Sequence, residues 1–289
     1  MKNDEIPAII GTDKTVFSCT STVSDNFNEV VKYYPELTLD TKLTFENTTL
    51  TQTMDVSHRY KYSYIVDFNN NKMGQIDFDQ FGYSWKDGIR FTVDNPVFYN
   101  GTQCYLPNVL DDLNLKINNF TYIDIAIDSY TFNAEQVLRR NLKNKENQVR
   151  IMHEIIKDRT TTIDNITYFN KGSLNNPFKV RSISIKNKEG SKEFFVYDKR
   201  EEINYSDKGY ILDFHKTKNP KLKNIYRSEL RMTYKAIHYY EHEVIKKLIT
   251  LDDLLDKEFL YSMFTYHLKT LISIKDVRKK EIPLYPYPF

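Results

Sequence analysis

The chain has 289 residues, of which 40% are hydrophobic, and its 41 Lys and Arg residues against 39 Asp and Glu residues give a net charge of +2. This balance excludes a uniformly basic nucleic-acid coat but permits a basic groove offset by acids elsewhere. Two distant cysteines, Cys19 and Cys104, exclude a cysteine-rich metal cluster or a disulfide framework and favour a reducing, cytoplasmic compartment. No apolar run approaches the roughly 20 residues of a membrane span, so no membrane partner is expected.

The first part of the chain predicts mainly β-strands, preceded by one early helix. The segment SDNFNEVVKYYPEL (24–37) has apolar residues at helical spacing after a capping serine or aspartate. The predicted strands alternate β-branched and aromatic residues between turn signals; they are RYKYSYIVDF (59–68), GQIDFDQFGYSW (74–85) and GIRFTVDNPVFY (88–99). A short helix is predicted in LPNVLDDLNLKI (106–117). We therefore predict a mainly β N-terminal lobe over residues 1–118.

The middle of the chain predicts a strand, a long helix and then a series of strands. FTYIDIAIDSYTF (120–132) is the first strand, and NAEQVLRRNLKNKENQVRIMHEII (133–156) has apolar residues at helical spacing with Asn133 as its N-cap. The strands that follow are TIDNITYFNKGS (162–173), FKVRSISIKN (178–187), KEFFVYDK (192–199), GYILDFHK (209–216) and NIYRSELRMTY (224–234). EGSK (189–192) is predicted to close a hairpin between two of them.

The C-terminal part turns helical over YKAIHYYEHEVIKKLI (234–249) and DDLLDKEFLYSMFTYHLKTLI (252–272). Strands first and helices last predict an α+β fold with a largely antiparallel sheet and helices packed on one side. We predict one body over residues 1–289, in which residues 119–235 supply the strands of the candidate site and residues 236–280 form the C-terminal helices. A division of this body into two lobes is left open.

Three of the predicted strands each place polar side chains on one face, because alternate residues of a strand point the same way. The sets are Asp124 and Asp128 in IDIAID, Tyr197 and Lys199 in KEFFVYDK, and Arg227, Glu229 and Arg231 in YRSELRM. Each face alone is equally typical of a solvated ladder of charges. If the three faces meet in one cleft, carboxylates can bind Mg²⁺ or Mn²⁺, arginines can bind phosphate, and the phenol can attack phosphorus.

In chain order, YIDIAIDS, TYFNKGS, FFVYDKREE and YRSELRM resemble the motifs of rolling-circle replication initiators, of the filamentous-phage gene-II type and the plasmid Rep_trans type. The resemblance covers roughly residues 120–235, under half of the chain. It implies a replication-initiator-like fold and a protein that starts rolling-circle replication of a phage or plasmid in a bacterial host. By the same resemblance, Tyr197 would nick one DNA strand site-specifically, form a 5′-phosphotyrosine link, leave a free 3′-hydroxyl and later rejoin the ends.

The resemblance also implies roles for individual residues. The implied catalytic residues are Tyr197, Lys199, Glu202, Arg227 and Arg231, and the implied ligands of Mg²⁺ or Mn²⁺ are Asp124, Asp128 and Glu229. Candidate DNA contacts are Lys171 and Ser173 in NKGS, and His215, Lys216 and Lys218 in the basic segment DFHKTKNPK, for which a solvated loop is equally typical. Many initiators bind metal through a His-hydrophobe-His strand, which this sequence lacks, so its metal site would be rich in carboxylates.

The implied partners are origin DNA, single-stranded at the nick, and a host polymerase and helicase. The sequence has no glycine-rich phosphate loop, so a helicase activity would come from a partner. The oligomeric state stays open.

Two alternatives remain. The first is a sequence-specific DNA-binding protein of the same fold that does not nick and is indifferent to divalent metal. The second, more remote, is a zinc peptidase, because HYYEH fits the His-x-x-Glu-His pattern of inverted zinc peptidases. His238 and His242 would bind zinc, Glu241 would be the general base and Glu258 the third ligand, whereas an exposed polar helix stripe is the commoner origin of such a motif.

Overall fold

The fold is described from a computed structural model of the chain. It describes residues 8–21, 42–53, 60–80, 89–152, 154–156, 166–173 and 176–286, and the helix predicted at 24–37 lies outside these ranges. The chain divides into two compact units, one of residues 14–123 and one of residues 1–13 and 124–289. Strands β1 (Ala8–Ser21) and β7 (Leu115–Ser129) contribute residues to both units.

The unit of residues 14–123 is built on an antiparallel sheet. Its strands are β2 (Lys42–Phe45), β3 (Thr48–Gln52), β4 (Tyr60–Phe68), β5 (Asn71–Gln80) and β6 (Ile89–Val93), joined by parts of β1 and β7 in the order β7-β1-β6-β5-β4-β3-β2. Helix α1 (Asn95–Tyr99), a 3₁₀ turn (Thr102–Tyr105) and α2 (Leu106–Asp112) follow β6. Aromatic pairs fill this core, since Phe17 stacks on Phe91 with ring centroids 5.1 Å apart.

The unit of residues 1–13 and 124–289 contains a sheet in the order β10-β11-β12-β13-β7-β1 and a small sheet in the order β14-β8-β9. Its further strands are β8 (Gln148–Ile151), β9 (Glu154–Ile155), β10 (Ile166–Ser173), β11 (Asn176–Lys186), β12 (Lys192–Asp198), β13 (Tyr226–Thr233) and β14 (Ile272–Lys275). Its helices are α3 (Ala134–Lys143), α4 (Lys199–Ile203), α5 (Gly209–Lys218), α6 (Tyr234–Tyr239), a π-helical turn (Tyr240–Ile245) and α7 (Lys257–Leu271).

One face of the larger sheet in this unit is apolar and is covered by helices α3 and α7. The buried side chains of this face include Ile183, Ile185, Phe194, Val196, Leu230 and Met232. Phe194 meets Phe264 of α7 edge to face, with ring centroids 6.1 Å apart. The predicted mixed α+β fold, with a largely antiparallel sheet and helices on one side, is confirmed. The opposite face of the sheet carries the polar side chains of the candidate site described below.

Three predicted elements differ from the structure. The strand predicted over 88–99 ends at Val93, and NPVFY forms helix α1 with Pro96 in its first turn. GYILDFHK was predicted as a strand but forms helix α5, because its two buried residues, Ile211 and His215, are four positions apart, as on one side of a helix. The long helix predicted over 133–156 begins as expected at Asn133, whose side chain accepts the Gln136 N–H, but α3 ends at Lys143. QVRI beyond it alternates between exposed and buried residues and forms β8.

None of the helices in the described ranges has both the length and the apolar character needed to cross a membrane.

Candidate active site

The polar faces of β12 and β13 meet because of their antiparallel register. Tyr197 lies opposite Arg227, and Phe195 lies opposite Glu229. Side chains on one face of such a pair reach their direct and diagonal neighbours. The predicted tyrosine and the Arg-x-Glu-x-Arg strand therefore do share one face of the sheet, and the contacts below extend it to the aspartates of β7.

The Tyr197 hydroxyl donates a hydrogen bond to Glu229 Oε2 at 2.8 Å. Burial and the nearby Glu229 carboxylate raise the pKa of this phenol well above its ordinary value, although Arg227 acts in the opposite direction. The hydroxyl is thus neutral at physiological pH and already aimed at a carboxylate that can accept its proton.

Arg231 bridges two of the predicted metal ligands. Its Nε lies 3.3 Å from Asp124 Oδ1, and its Nη2 lies 3.2 Å from Glu229 Oε1. The guanidinium also lies over the Phe195 ring, 4.7 Å from the centroid, and the side chain is 37% exposed. A partly exposed cationic side chain therefore bridges two buried carboxylates.

Arg227, in contrast, is completely buried in a network of carboxylates. It binds Asp128 through two parallel hydrogen bonds of 2.7 and 2.6 Å and donates a third, of 2.6 Å, to Asp13 in β1. Burial opposes the charge of Asp128, but Arg227 and His215 outweigh it and hold the pKa of this carboxyl well below its ordinary range. The bidentate geometry fixes the plane of the Arg227 guanidinium.

His215 forms the back of this network. Its Nε2 lies 2.9 Å from Asp128 Oδ2, and its Nδ1 lies 3.1 Å from the Tyr130 hydroxyl. Burial and the Asp128 charge raise the pKa of Tyr130 to about 12, so this phenol stays protonated. The imidazole is completely buried and both of its nitrogens face groups of the protein, so the DNA contact at His215 stays a prediction that would require this side chain to become exposed.

Asp124 and Asp128 lie far apart on β7 and contact different arginines. They are four residues apart on β7, which separates their Cα atoms by about 13 Å along the strand. Each instead meets its own arginine, Arg231 or Arg227, and both oxygens of Asp128 are engaged. The geometry brings Asp124 and Glu229 together through Arg231, whereas Asp128 as a third ligand of the same ion stays a prediction.

Asp124 and Glu229 fit a hard divalent cation in their chemistry. Both offer carboxylate oxygens, which such cations prefer as ligands. The Arg231 guanidinium already contacts one oxygen of each carboxylate. An ion at this position would have to replace the Arg231 guanidinium, whose side chain is 37% exposed. In the part of the chain that the structure describes, no three acids bring their oxygens close enough to form a cage.

Lys199 and Glu202 lie next to the tyrosine but at the start of helix α4 rather than on the strand. Lys199 is 1% exposed, lies 2.7 Å from Glu202 Oε2, and has its Nζ 5.6 Å from the Tyr197 ring centroid. Burial and the Arg227 charge lower the pKa of Lys199. Burial acts to raise the pKa of Glu202, but Lys199, Lys208 and Arg227 together outweigh it and lower that pKa. The helix begins there because Asp198 caps it by accepting the Glu201 N–H at 3.0 Å.

The remaining predicted DNA contacts belong to other elements of the chain. Lys216 and Lys218 are exposed on α5. Lys171 and Ser173 lie near the end of β10, where Ser173 pairs with Asn176 across a hairpin. All four stay predictions.

The HYYEH segment lies at the end of α6 and in the π-helical turn. Its three predicted zinc-binding or catalytic groups do come together, with ligand atoms within 4.8 Å of one another, but Glu258 is not in the group. In the described residues this is the one cluster of three or more such side chains at that spacing.

Sequence reasoning missed Asp13 and Tyr130. Asp13 is the one acid in the segment AIIGTDKTV, which forms part of a strand. A charged residue at a buried strand position is unusual, and that could have drawn attention to Asp13. Tyr130 follows IDIAIDS directly and could be recognised only with its partner on α5.

No family model and no curated protein matches the chain. Among solved structures, the rolling circle replication initiator protein from Geobacillus stearothermophilus is similar, with a TM-score of 0.49 and 12% identity over 91% of this chain and 86% of that chain. A likeness of this size establishes neither a shared family nor a shared activity.

Proposed function

We propose that this chain is a replication initiation protein of a phage or plasmid, which nicks and rejoins one DNA strand at an origin to start rolling-circle replication. The observation that carries the proposal is the hydrogen bond from Tyr197 to Glu229, on the sheet face that also presents Asp124 and Arg231. The substrate class, DNA, is inferred from the order of the strand motifs, which resembles that of rolling-circle initiators.

In the proposed reaction, Glu229 accepts the phenolic proton as the Tyr197 oxygen attacks phosphorus. The new O–P bond links the tyrosine to the 5′ side of the nick, the bond from phosphorus to the 3′-oxygen breaks, and that oxygen leaves as a 3′-hydroxyl once protonated. Attack by a 3′-hydroxyl on the phosphotyrosine reverses these steps and rejoins the ends.

Arg231 and Arg227 would have different electrostatic roles because they differ in exposure. Arg231 is partly exposed and would contact the scissile phosphate, for which its planar guanidinium is suited. Arg227 is fully buried and would act from behind the tyrosine by favouring its ionised form. Lys199 would add a second buried positive charge close to the ring, with Glu202 holding it in place.

Asp124 and Glu229 would hold Mg²⁺ or Mn²⁺. When bound, the ion supplies polarisation of the phosphate and orientation for in-line attack.

One observation favours a second candidate, a DNA-binding protein of the same fold that does not nick. Burial and the Glu229 charge keep the Tyr197 phenol protonated, which weakens it as a nucleophile until substrate or metal changes its surroundings. Such a protein would bind origin DNA through exposed residues such as Lys216 and Lys218, without any response to Mn²⁺.

The experiment mixes the full chain with a supercoiled plasmid that carries its origin, with and without Mn²⁺, and measures relaxation and covalent protein–DNA adduct. We expect both with Mn²⁺, the loss of both in Tyr197→Phe, and normal activity in Tyr105→Phe, which deletes the hydroxyl of a half-exposed tyrosine in the other unit. Glu229→Gln should reduce nicking and leave DNA binding intact.

Specific binding by the wild-type protein without nicking or adduct would support the second candidate. An adduct that persists in Tyr197→Phe would refute the assignment of the nucleophile.

The free 3′-hydroxyl would be extended by a host polymerase, with strand separation by a host helicase. Tyr205 and Tyr226 are candidates for a second tyrosine that closes the circle. A variant of either that nicks but does not rejoin would identify it.

A further inference from the structure

The strongest feature outside the proposed active site is the cluster of His238, Glu241 and His242. The two histidines are exposed, four residues apart, and their ring centroids are 4.1 Å apart. Glu241 is buried at 2% exposure, and one of its oxygens lies with the histidine nitrogens inside the 4.8 Å cluster. Three groups with metal-ligating atoms therefore converge at the protein surface.

The local backbone explains why the glutamate is fixed. The chain widens into a π-helical turn over Tyr240–Ile245, which ends at Lys246 in the left-handed conformation (φ 56°). The chain then returns so that the Ile249 N–H donates to Glu241 Oε1 at 2.9 Å. Such π-helical turns are frequent at functional sites.

The buried carboxyl group of Glu241 has few partners to stabilise it among the residues that the structure describes. A buried carboxylate is costly unless a cation or several hydrogen bonds stabilise it. Within the described residues no lysine or arginine forms an ion pair with Glu241, whereas the two imidazoles lie directly beside it. A bound cation would supply the missing positive charge.

We propose that His238, Glu241 and His242 form a binding site for a transition-metal ion of the zinc class. Zinc accepts imidazole nitrogen and carboxylate oxygen at 2.0–2.1 Å, which brings tetrahedral ligand atoms to about 3.4 Å from one another. The two exposed imidazoles would have to rotate to bring the ligand atoms from within 4.8 Å to that spacing. Tyr234 stacked on His238 at 5.3 Å limits how far that ring turns. The fourth coordination position stays open.

The site differs from that of an inverted zinc peptidase and from the acidic pair Asp124 and Glu229. Glu241 is a ligand here rather than a general base, because the Ile249 N–H holds its carboxylate beside the imidazoles. Nitrogen ligands prefer zinc, nickel or copper to magnesium, whereas the acidic pair prefers hard cations. The inference does not depend on the proposed function. Bound metal would clamp the π-helical turn and the segment up to Ile249 to α6.

The test is calorimetric titration of the full, chelator-treated chain with Zn²⁺ in excess Mg²⁺, with the absorption spectrum of bound Co²⁺ as a second readout. We expect one equivalent of Zn²⁺ to bind, and both binding and the Co²⁺ spectrum to be lost in the His238→Ala/His242→Ala variant. Glu241→Gln should weaken binding while its amide oxygen still accepts the Ile249 N–H. Glu243→Gln, which alters an exposed neighbouring acid, should bind as the wild type does.

No binding by the wild-type chain, or unchanged binding by the double-alanine variant, would overturn the proposal. Circular dichroism of each variant shows that the fold is retained, which is expected because both histidines are at the surface.

Discussion

His267 in α7 is a buried histidine that should make the protein sensitive to acid. It is 1% exposed, and neither ring nitrogen has a hydrogen-bond partner within the described part of the chain. The rings of Tyr240 and Tyr266 surround it, each with its centroid 5.2 Å away. Burial, and to a smaller extent the charge of Lys192, lowers the pKa of His267 to about 3.

The direction and size of the effect follow from linkage. The unfolded chain takes up a proton on this histidine below about pH 6.5, but the folded protein does so only near its lowered pKa. The contribution of His267 to the free energy of unfolding is therefore fully present above about pH 6.5. It is lost as the pH falls, until the folded state also protonates this residue near pH 3. At about pH 4.5, two units below the unfolded pKa, the loss from this one residue is about 2.7 kcal/mol.

The perturbation is His267→Phe, which removes the titrating group and keeps an aromatic ring. Urea unfolding at about pH 7.5 and about pH 4.5 gives the free energy of unfolding of each protein at each pH. Between the two conditions the wild type should lose about 2.7 kcal/mol more than the variant, because carboxylates common to both proteins cancel in the comparison. A constant packing cost of the phenylalanine also cancels. Equal losses in the two proteins would refute the reasoning, and His267→Leu would show whether ring size matters.

Three further outcomes are expected. Arg227→Met should lower the free energy of unfolding by about 3–5 kcal/mol, because it leaves the buried Asp13 and Asp128 without their cation; denaturant melts would show it, and a change below about 1 kcal/mol would contradict a structural role for the network. Lys216→Gln should reduce the log–log salt slope of duplex binding by about 0.9 if this exposed lysine contacts a phosphate, and an unchanged slope would remove it from the interface. A thiol reagent should modify exposed Cys104 in the native protein but reach Cys19 only on unfolding, since Cys19 is buried and burial raises the pKa of its thiol; rapid labelling of both would contradict the fold.

The parts of the site that depend on strand alternation could be predicted from the sequence. The faces of β7, β12 and β13 follow from a period of two, which is a local property, and they brought Tyr197, Glu229 and Arg231 together as expected. The pairing of Arg227 with Asp13 depends on contacts more than 200 residues apart in the chain, for which no local pattern exists.

Helix α5 is a second feature that local sequence patterns did not predict, because it depends on tertiary contacts. GYILDFHK has enough β-branched and aromatic residues for a strand, and only its tertiary position, with His215 against Asp128, selects the helix. The prediction of Asp128 as a ligand of the same ion as Asp124 did not consider that four residues along a strand separate two Cα atoms by about 13 Å.

If the proposed function holds, the position of Arg231 between Asp124 and Glu229 would make metal binding an exchange of counterions. A divalent ion that enters between these carboxylates would take the place of the guanidinium, and the displaced guanidinium would then be available to an incoming phosphate. Loading of metal and capture of DNA would therefore reinforce each other. In the resting protein the same arginine would keep the two acids from repelling each other.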